Sequence, residues 1–409
     1  MKQFVFILFA FVFIVPVKGQ QLEGYLNEAL KNNPRLQSLQ YKYESAVEKV
    51  SEAGSLPNTT FETGYFIQET ETRVGPQRLR VSAKQKFPWF GTLDAKKKSA
   101  AAFAESELQN IELIGRKLVL DVKKQYYHLY ENKAGLHILE RNLEILKTDE
   151  KLALTELEND RSTLVDVLKI RIKINDIENQ ITSYAQELET KKKTFNILLN
   201  RDSSVNVTVQ DSITLEENVF TREQLINNPR LIQLETIKDG LLKSEIAAQK
   251  EGLPAIGVGL DYILVDELSF VNPIDNGKDI IIPSVSVSVP LFSKKYSSKR
   301  KQYQLQQEAV ENDKTQIKNE LESLFEKSVT KMKNADRLRQ TKAQNIQQAQ
   351  QAEKVLLTTY QAGKLDFDQI LEVQQLILKF QLEEYAAIRE YLEAKAMLEY
   401  LTIPIGNKK

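Results

Sequence analysis

The segment Glu28-Ala29-Leu30-Lys31-Asn32-Asn33-Pro34-Arg35-Leu36 recurs 195 positions later as Glu223-Gln224-Leu225-Ile226-Asn227-Asn228-Pro229-Arg230-Leu231. Such a match within one chain marks an internal duplication, so whatever the first half folds into, the second must fold into as well. The offset then drifts. Leu56-Pro57 pairs with Leu253-Pro254 at 197, and Phe87-Pro88-Trp89-Phe90 pairs with Val289-Pro290-Leu291-Phe292 at 202. The added residues fall between the matched points, where a loop absorbs them. The 409 residues therefore read as one elongated body of two copies, at 20–201 and 223–402, joined by a linker at 202–222 and followed by a tail at 403–409.

Each copy is predicted to run helix, strand pair, long helix, turn, helix. Residues 23–54 carry Leu26, Leu30, Leu36, Leu39 and Tyr43 on one stripe and end at Gly54 and Pro57; Glu223 to about Gly252 repeats this. Segments of period two follow. Phe61, Tyr65 and Ile67 alternate with polar residues, as do Leu79, Val81, Ala83 and Phe87. The second copy is cleaner: Ile256, Val258, Leu260 and Tyr262 alternate with Gly257, Gly259 and Asp261, and Val285, Val287 and Val289 with Ser284, Ser286 and Ser288. The hairpins are placed at 57–91 and 254–292, with loops at Glu69 to Gln77 and Asp266 to Lys278. A soluble sandwich shows the same alternation, but four strands per chain cannot hide one another's apolar faces. A transmembrane barrel assembled from several chains, apolar to lipid and polar to its lumen, accounts for both faces.

From about Asp94 to Asn159, and again from Lys294 to Tyr360, roughly 65 residues pass with no proline and almost no glycine, which at about 1.5 Å per residue makes a helix on the order of 100 Å long. Val122, Leu129, Leu136 and Leu143 recur at heptad spacing, with Leu118, Leu139 and Leu146 between them; Ile317, Leu321 and Leu324 echo the seam in the second copy. The return legs, Leu164 to Leu199 and Phe367 to Leu401, are about half as long. Stacked on the opening helix of each copy, each return leg matches one long helix.

Composition removes several classes of function. Lys plus Arg and Asp plus Glu both number 56, so no global field holds nucleic acid. There is no cysteine, and His128 and His137 are the only imidazoles, which leaves no basis for a metal site or a thiol nucleophile. No GxxxxGK[ST], GxSxG or HExxH motif is present, so no enzyme and no cofactor is expected. Met1-Lys2-Gln3, the apolar run Phe4 to Val17 and Lys18-Gly19 have the layout of a signal peptide over 1–19. About 14 apolar residues fall short of the roughly 20 that span a bilayer as a helix.

The paired Asn32-Asn33-Pro34 and Asn227-Asn228-Pro229, the strand ends at Pro88 and Pro290, and Tyr360-Gln361-Ala362-Gly363-Lys364 before Ile370-Leu371-Glu372-Val373 together resemble the TolC family of outer-membrane efflux proteins. The resemblance covers the whole chain after the signal peptide. It implies a mostly α fold with a β-barrel portion: a homotrimer with a 12-stranded barrel in the outer-membrane lipid of a Gram-negative bacterium and a coiled-coil-like α-helical tunnel in the periplasm. The linker at 202–222 would lie at the tunnel's equator. The implied function is an exit channel that passively conducts substrates from an inner-membrane pump and a periplasmic adaptor. A periplasmic coiled-coil scaffold or adaptor, and a duct for secreted polypeptides, remain as alternatives.

The resemblance also assigns residues. The turns at 159–166 and 362–369 would form the periplasmic tips, with Arg161, Ser162 and Leu164 on one and Gly363, Lys364 and Leu365 on the other docking on the adaptor. Relatives carry two entrance carboxylates about one turn apart; here the positions hold Gln369 and Glu372, with Asp366 and Asp368 beside them. A ring of three carboxylates favours cations, whereas the same residues also suit an ordinary solvated helix start. Asp166 either locks the closed entrance to a neighbour or pairs with Lys169 or Arg161 of its own chain. Trp89, Phe90 and Phe292 suit an aromatic belt at the membrane interface or a cluster at the barrel mouth.

Overall fold

The computed structural model describes residues 20–159, 162–215, 218–362, 365 and 367–403. The expected signal peptide and all of the expected tail but Ile403 lie outside these, as do Arg161, Gly363, Lys364 and Asp366. In chain order the elements are α1 (Gln20–Asn32), α2 (Pro34–Ala53), β1 (Thr60–Thr72), β2 (Gly75–Phe87), α3 (Thr92–Glu158) and α4 (Leu164–Leu198). A 3-10 turn (Arg222–Asn227), α5 (Pro229–Glu251), β3 (Ala255–Val265), β4 (Ile280–Ser288), α6 (Lys295–Gln361) and α7 (Asp368–Thr402) follow. The duplication is exact in the long elements: α3 and α6 each have 67 residues, and α4 and α7 each have 35.

The opening of each copy differs from the single helix expected over 23–54. The chain breaks at Asn33, whose Oδ1 accepts from the backbone N–H groups of Arg35 at 2.9 Å and Leu36 at 3.1 Å, so it caps α2 with Pro34 in the first helical position. In the second copy the segment before Pro229 is a 3-10 turn, and the fully buried Asn228 turns its Nδ2 to the Leu401 carbonyl at 3.0 Å. The repeated Asn-Pro pair is thus a helix-start signal in both halves. A continuous apolar stripe hides this break because the stripe resumes on the far side of the cap.

Two compact units divide the chain, and each draws on both copies. The first comprises residues 38–113 and 229–320. Its sheet is antiparallel in the order β1-β2-β3-β4. The strands run further than the alternation suggested: β1 reaches Thr72 and β2 starts at Gly75, so much of the expected 69–77 loop is paired strand. A register shift between Tyr65 and Thr70 interrupts the period, while backbone pairing continues through polar residues. Ala95, Ser99, Ala102, Gly240, Ser244 and Ala248 let the helices approach closely; the buried Ser99 and Ser244 hydroxyls lie 2.6 Å apart. A Cβ on Gly240 would come within 3.2 Å of the Phe103 ring.

Of the described residues, the second unit comprises those within 20–37, 114–228 and 321–403. The heptad residues Leu118, Val122, Leu129, Leu139 and Leu146 are all buried. The linker at 202–222 is pinned to the helices by tyrosines. The Tyr126 hydroxyl accepts from the Gln210 N–H at 3.1 Å and the Tyr25 hydroxyl from the Thr208 N–H at 3.0 Å, while Tyr25 packs edge-on against Phe195. Lys133 Nζ adds bonds to the Val209 carbonyl and to Asp211, which hold the Asp211 carboxyl below its usual range. Among the described residues no helix is long and apolar enough to cross a membrane.

Candidate functional site

Within the sheet, the pairing register sorts residues onto two faces. Phe61, Ala83, Leu260 and Pro283 form one row, and Val81, Tyr262 and Ile281 belong to the next on the same face. This face is uncovered: Phe61 is 74% exposed, Val285 76% and Val287 63%. The opposite face carries Thr60, Lys84, Gly259 and Ser284 in one row and Lys86, Gly257 and Ser286 in the next. Its charges are largely paired: Arg80 donates to Asp261 at 2.8 Å, Ser82 donates to the same carboxylate, and Lys84 reaches Glu62 at 2.7 Å. The strands β1 and β4 are the edges, each with one side of its backbone unpaired within the chain. Trp89 stacks edge-on with Phe90 at 6.1 Å between ring centroids just beyond β2, and Phe90 and Phe292 are exposed.

In the helical unit, the connections from α3 to α4 and from α6 to α7 carry the expected entrance residues. Asp166 closes a capping box at the start of α4. Its Oδ2 accepts from the Thr163 N–H at 3.0 Å, the Thr163 hydroxyl at 2.8 Å and the Ser162 hydroxyl at 3.3 Å, and its own N–H donates to Thr163 Oγ1. Of the alternatives for Asp166, the pairing with Lys169 is not among the ion pairs of the described residues and Arg161 lies outside them; Lys169 reaches over to Asp368 at the start of α7, tying the two helical hairpins of one chain together. The capping hydroxyls are nearer in sequence and already aligned on the Asp166 carboxylate. Gln369 and Glu372 are exposed on α7, Leu365 is half-buried, and Leu164 is exposed. The structure therefore brings Asp368 to Lys169 and leaves Gln369 and Glu372 without protein partners among the described residues.

Two features escaped the sequence reading. Phe367, just before α7, is fully buried against Tyr360 at 5.2 Å between ring centroids and anchors a core with Ile370, Leu371, Val167 and Ile170. On α4, Val165, Leu168 and Ile172 join Leu164 as an exposed apolar strip. Their spacing of three and four was the available signal. His128 lies among charged side chains: its Nε2 is 3.1 Å from Glu393, which also receives Arg389 at 3.0 Å, and burial pushes the imidazole below its usual range. Among the described residues no group of three or more potential metal-binding side chains exists.

No protein family and no curated protein matches the chain by sequence. Solved structures do. The chain is similar to the outer membrane protein VceC of Vibrio cholerae, with a TM-score of 0.75 and 14% identity over 94% of this chain and 96% of that one. It is similar to the outer-membrane channel OprN at 0.74 and 14%, covering 94% and 90%. It also matches the Campylobacter jejuni CmeC outer membrane channel at 0.73 and 13%, covering 94% and 85%.

Proposed function

We propose, on the premise that the chain has the mostly α, four-stranded fold of the TolC-type outer-membrane channels, that it is an exit duct of a Gram-negative outer membrane working as a homotrimer. The observation that carries this reading is the sheet. A face of exposed valine, isoleucine and aromatic side chains needs a cover, and lipid supplies one without any further protein element. Two open edges need partners, and pairing β1 of one copy with β4 of the next satisfies the backbone and removes every edge. Three copies then contribute 12 strands, with the serine, glycine and paired-charge face turned to a lumen.

In this reading the connections at 159–166 and 362–369 form the entrance, where a periplasmic adaptor and an inner-membrane pump deliver substrate. Glu372 and Gln369 line it, Arg161, Ser162, Leu164, Gly363, Lys364 and Leu365 dock the adaptor, and Trp89, Phe90 and Phe292 sit at the membrane interface. The duct conducts passively and its cargo, small molecule or polypeptide, is chosen by the pump. The test is planar-bilayer conductance of the purified protein together with its mass in detergent. Discrete openings from a trimer are expected. A monomer without conductance overturns the proposal in favour of a periplasmic scaffold.

A further inference from the structure

Asp149 occupies a place on α3 where the buried stripe calls for an apolar side chain, between Leu146 and Ala153. It is only 7% exposed, beside a core to which α4 gives Ile170 and Ile174 and α7 gives Ile370 and Leu371. From α7, Gln374, 4% exposed, donates its Nε2–H to Asp149 Oδ2 at 2.8 Å. The other end of that amide, Oε1, is buried with no hydrogen-bond partner among the described residues. An ionised carboxylate only accepts, so it cannot satisfy this oxygen, whereas a protonated carboxyl has one O–H to give. With the proton bound, acid and amide close a ring of two hydrogen bonds, Nε2–H to Oδ2 and Oδ1–H to Oε1. Uptake of one proton removes a buried charge and supplies the missing donor together.

We propose that Asp149 and Gln374 form a proton-binding site that clasps α3 to α7 in mild acid and loosens that contact when the proton leaves. The charged surroundings agree. From α6, Glu353 adds a negative field; of the cations of α4 near this level, Lys169 pairs with Asp368 and Arg171 with Glu150, which leaves Lys173 facing the groove beside Gln374. Gln374 also borders an open groove between α3, α4 and α7 whose rim carries Lys173, Asp176, Lys379 and Glu383, which gives protons a route from solvent. Burial raises the Asp149 carboxyl, the Gln374 bond offsets part of that, Glu353 adds to it, and the group titrates at about 6. A raised carboxyl is protonated in the folded chain where the unfolded chain has already lost the proton. The clasp is therefore complete at low pH and is lost as pH rises through about 6.

The site itself stands on contacts within one chain. Its consequence rests on the proposed duct, where α3 and α7 belong to the two hairpins that meet the entrance, so that acid tightens the entrance and neutral pH frees it. The test uses the full-length protein in detergent. Infrared difference spectra between about pH 5 and about pH 7.5 should show a protonated-carboxyl band that titrates with a midpoint near 6 and is missing from Asp149→Asn. Spin labels at Ser162 and Leu365 should give a narrow distance distribution in acid and a broader one at neutral pH. Asp149→Asn should stay narrow at both, because an asparagine completes the same ring without a proton, and Gln374→Leu should stay broad at both. A wild-type spectrum with no carboxyl titrating near 6 overturns the site, and this outcome needs no variant to fold. A titrating band with an unchanging distance, or an Asp149→Asn variant that keeps the wild-type pH response, overturns the clasp. Failure of bilayer conductance with the band present removes the duct and leaves the proton site standing.

Discussion

Replacing Val285 by arginine and, separately, its neighbour Ser286 by arginine places the same charge on opposite faces of β4. Val285 is 76% exposed on the apolar face and pairs across to Val258; Ser286 faces the polar side opposite Gly257. If the apolar face meets lipid, an arginine there costs about 2–4 kcal/mol per copy toward the bilayer midplane, roughly 6–12 kcal/mol for three copies. On the polar face the arginine extends into water, and the cost stays within about 0.5 kcal/mol. The assay is folding of the purified chain into lipid vesicles across a urea series, read by heat-modifiable mobility and by Trp89 fluorescence. Val285→Arg should fail to assemble or lose most of its urea resistance, and Ser286→Arg should track the wild type. Equal midpoints, or the reverse order, refute the assignment of faces and with it the lipid-covered barrel.

Phe367→Ala empties a fully buried site and should cost about 3–5 kcal/mol in thermal unfolding of the helical unit; a loss under about 1 kcal/mol shows that the anchor is not structural. Lys169→Met and Asp368→Asn, with side chains 43% and 49% exposed, should show a coupling of only about 0.2–1 kcal/mol in a double-mutant cycle, vanishing at high salt. Coupling that survives high salt would mean that the bridge is shielded from water. Glu372→Gln should lower cation preference in bilayer reversal potentials, and an unchanged potential removes the entrance ring. Raising the pH from about 4.5 to about 7.5 should remove about 2 kcal/mol of stability per copy, because Asp149 titrates at about 6 when folded and near 3.9 when unfolded. Urea midpoints of wild type and Asp149→Asn measure that slope, which the variant should lack.

The repeated Asn-Pro pairs, the proline-free runs and the alternating strands were legible because they act locally. A missing N–H, an unbroken helix former and a period of two constrain the backbone wherever the chain lies. These features made the duplication, the order of elements and the near-equal lengths of α3 and α6 readable, along with the two-faced strands. Boundaries moved where a side chain outside the periodic pattern intervened: Asn33 capping α2, or polar Glu69 to Thr72 continuing β1 through backbone pairing alone.

The entrance residues were named from resemblance, and their partners were not legible. Lys169 and Asp166 are one turn apart, which made their pairing one of the alternatives, yet the Ser162 and Thr163 hydroxyls take Asp166 and the lysine crosses to Asp368. Nothing in the local sequence sets Asp149 apart from the other charges of a long helix; α7 places Gln374 over it and the core removes its water. Sequence by itself determined which elements form and which faces are apolar, because those follow from local backbone geometry and side-chain period. Only tertiary structure decided which apolar face stays uncovered and which carboxylate is buried, because both depend on what distant segments bring against it.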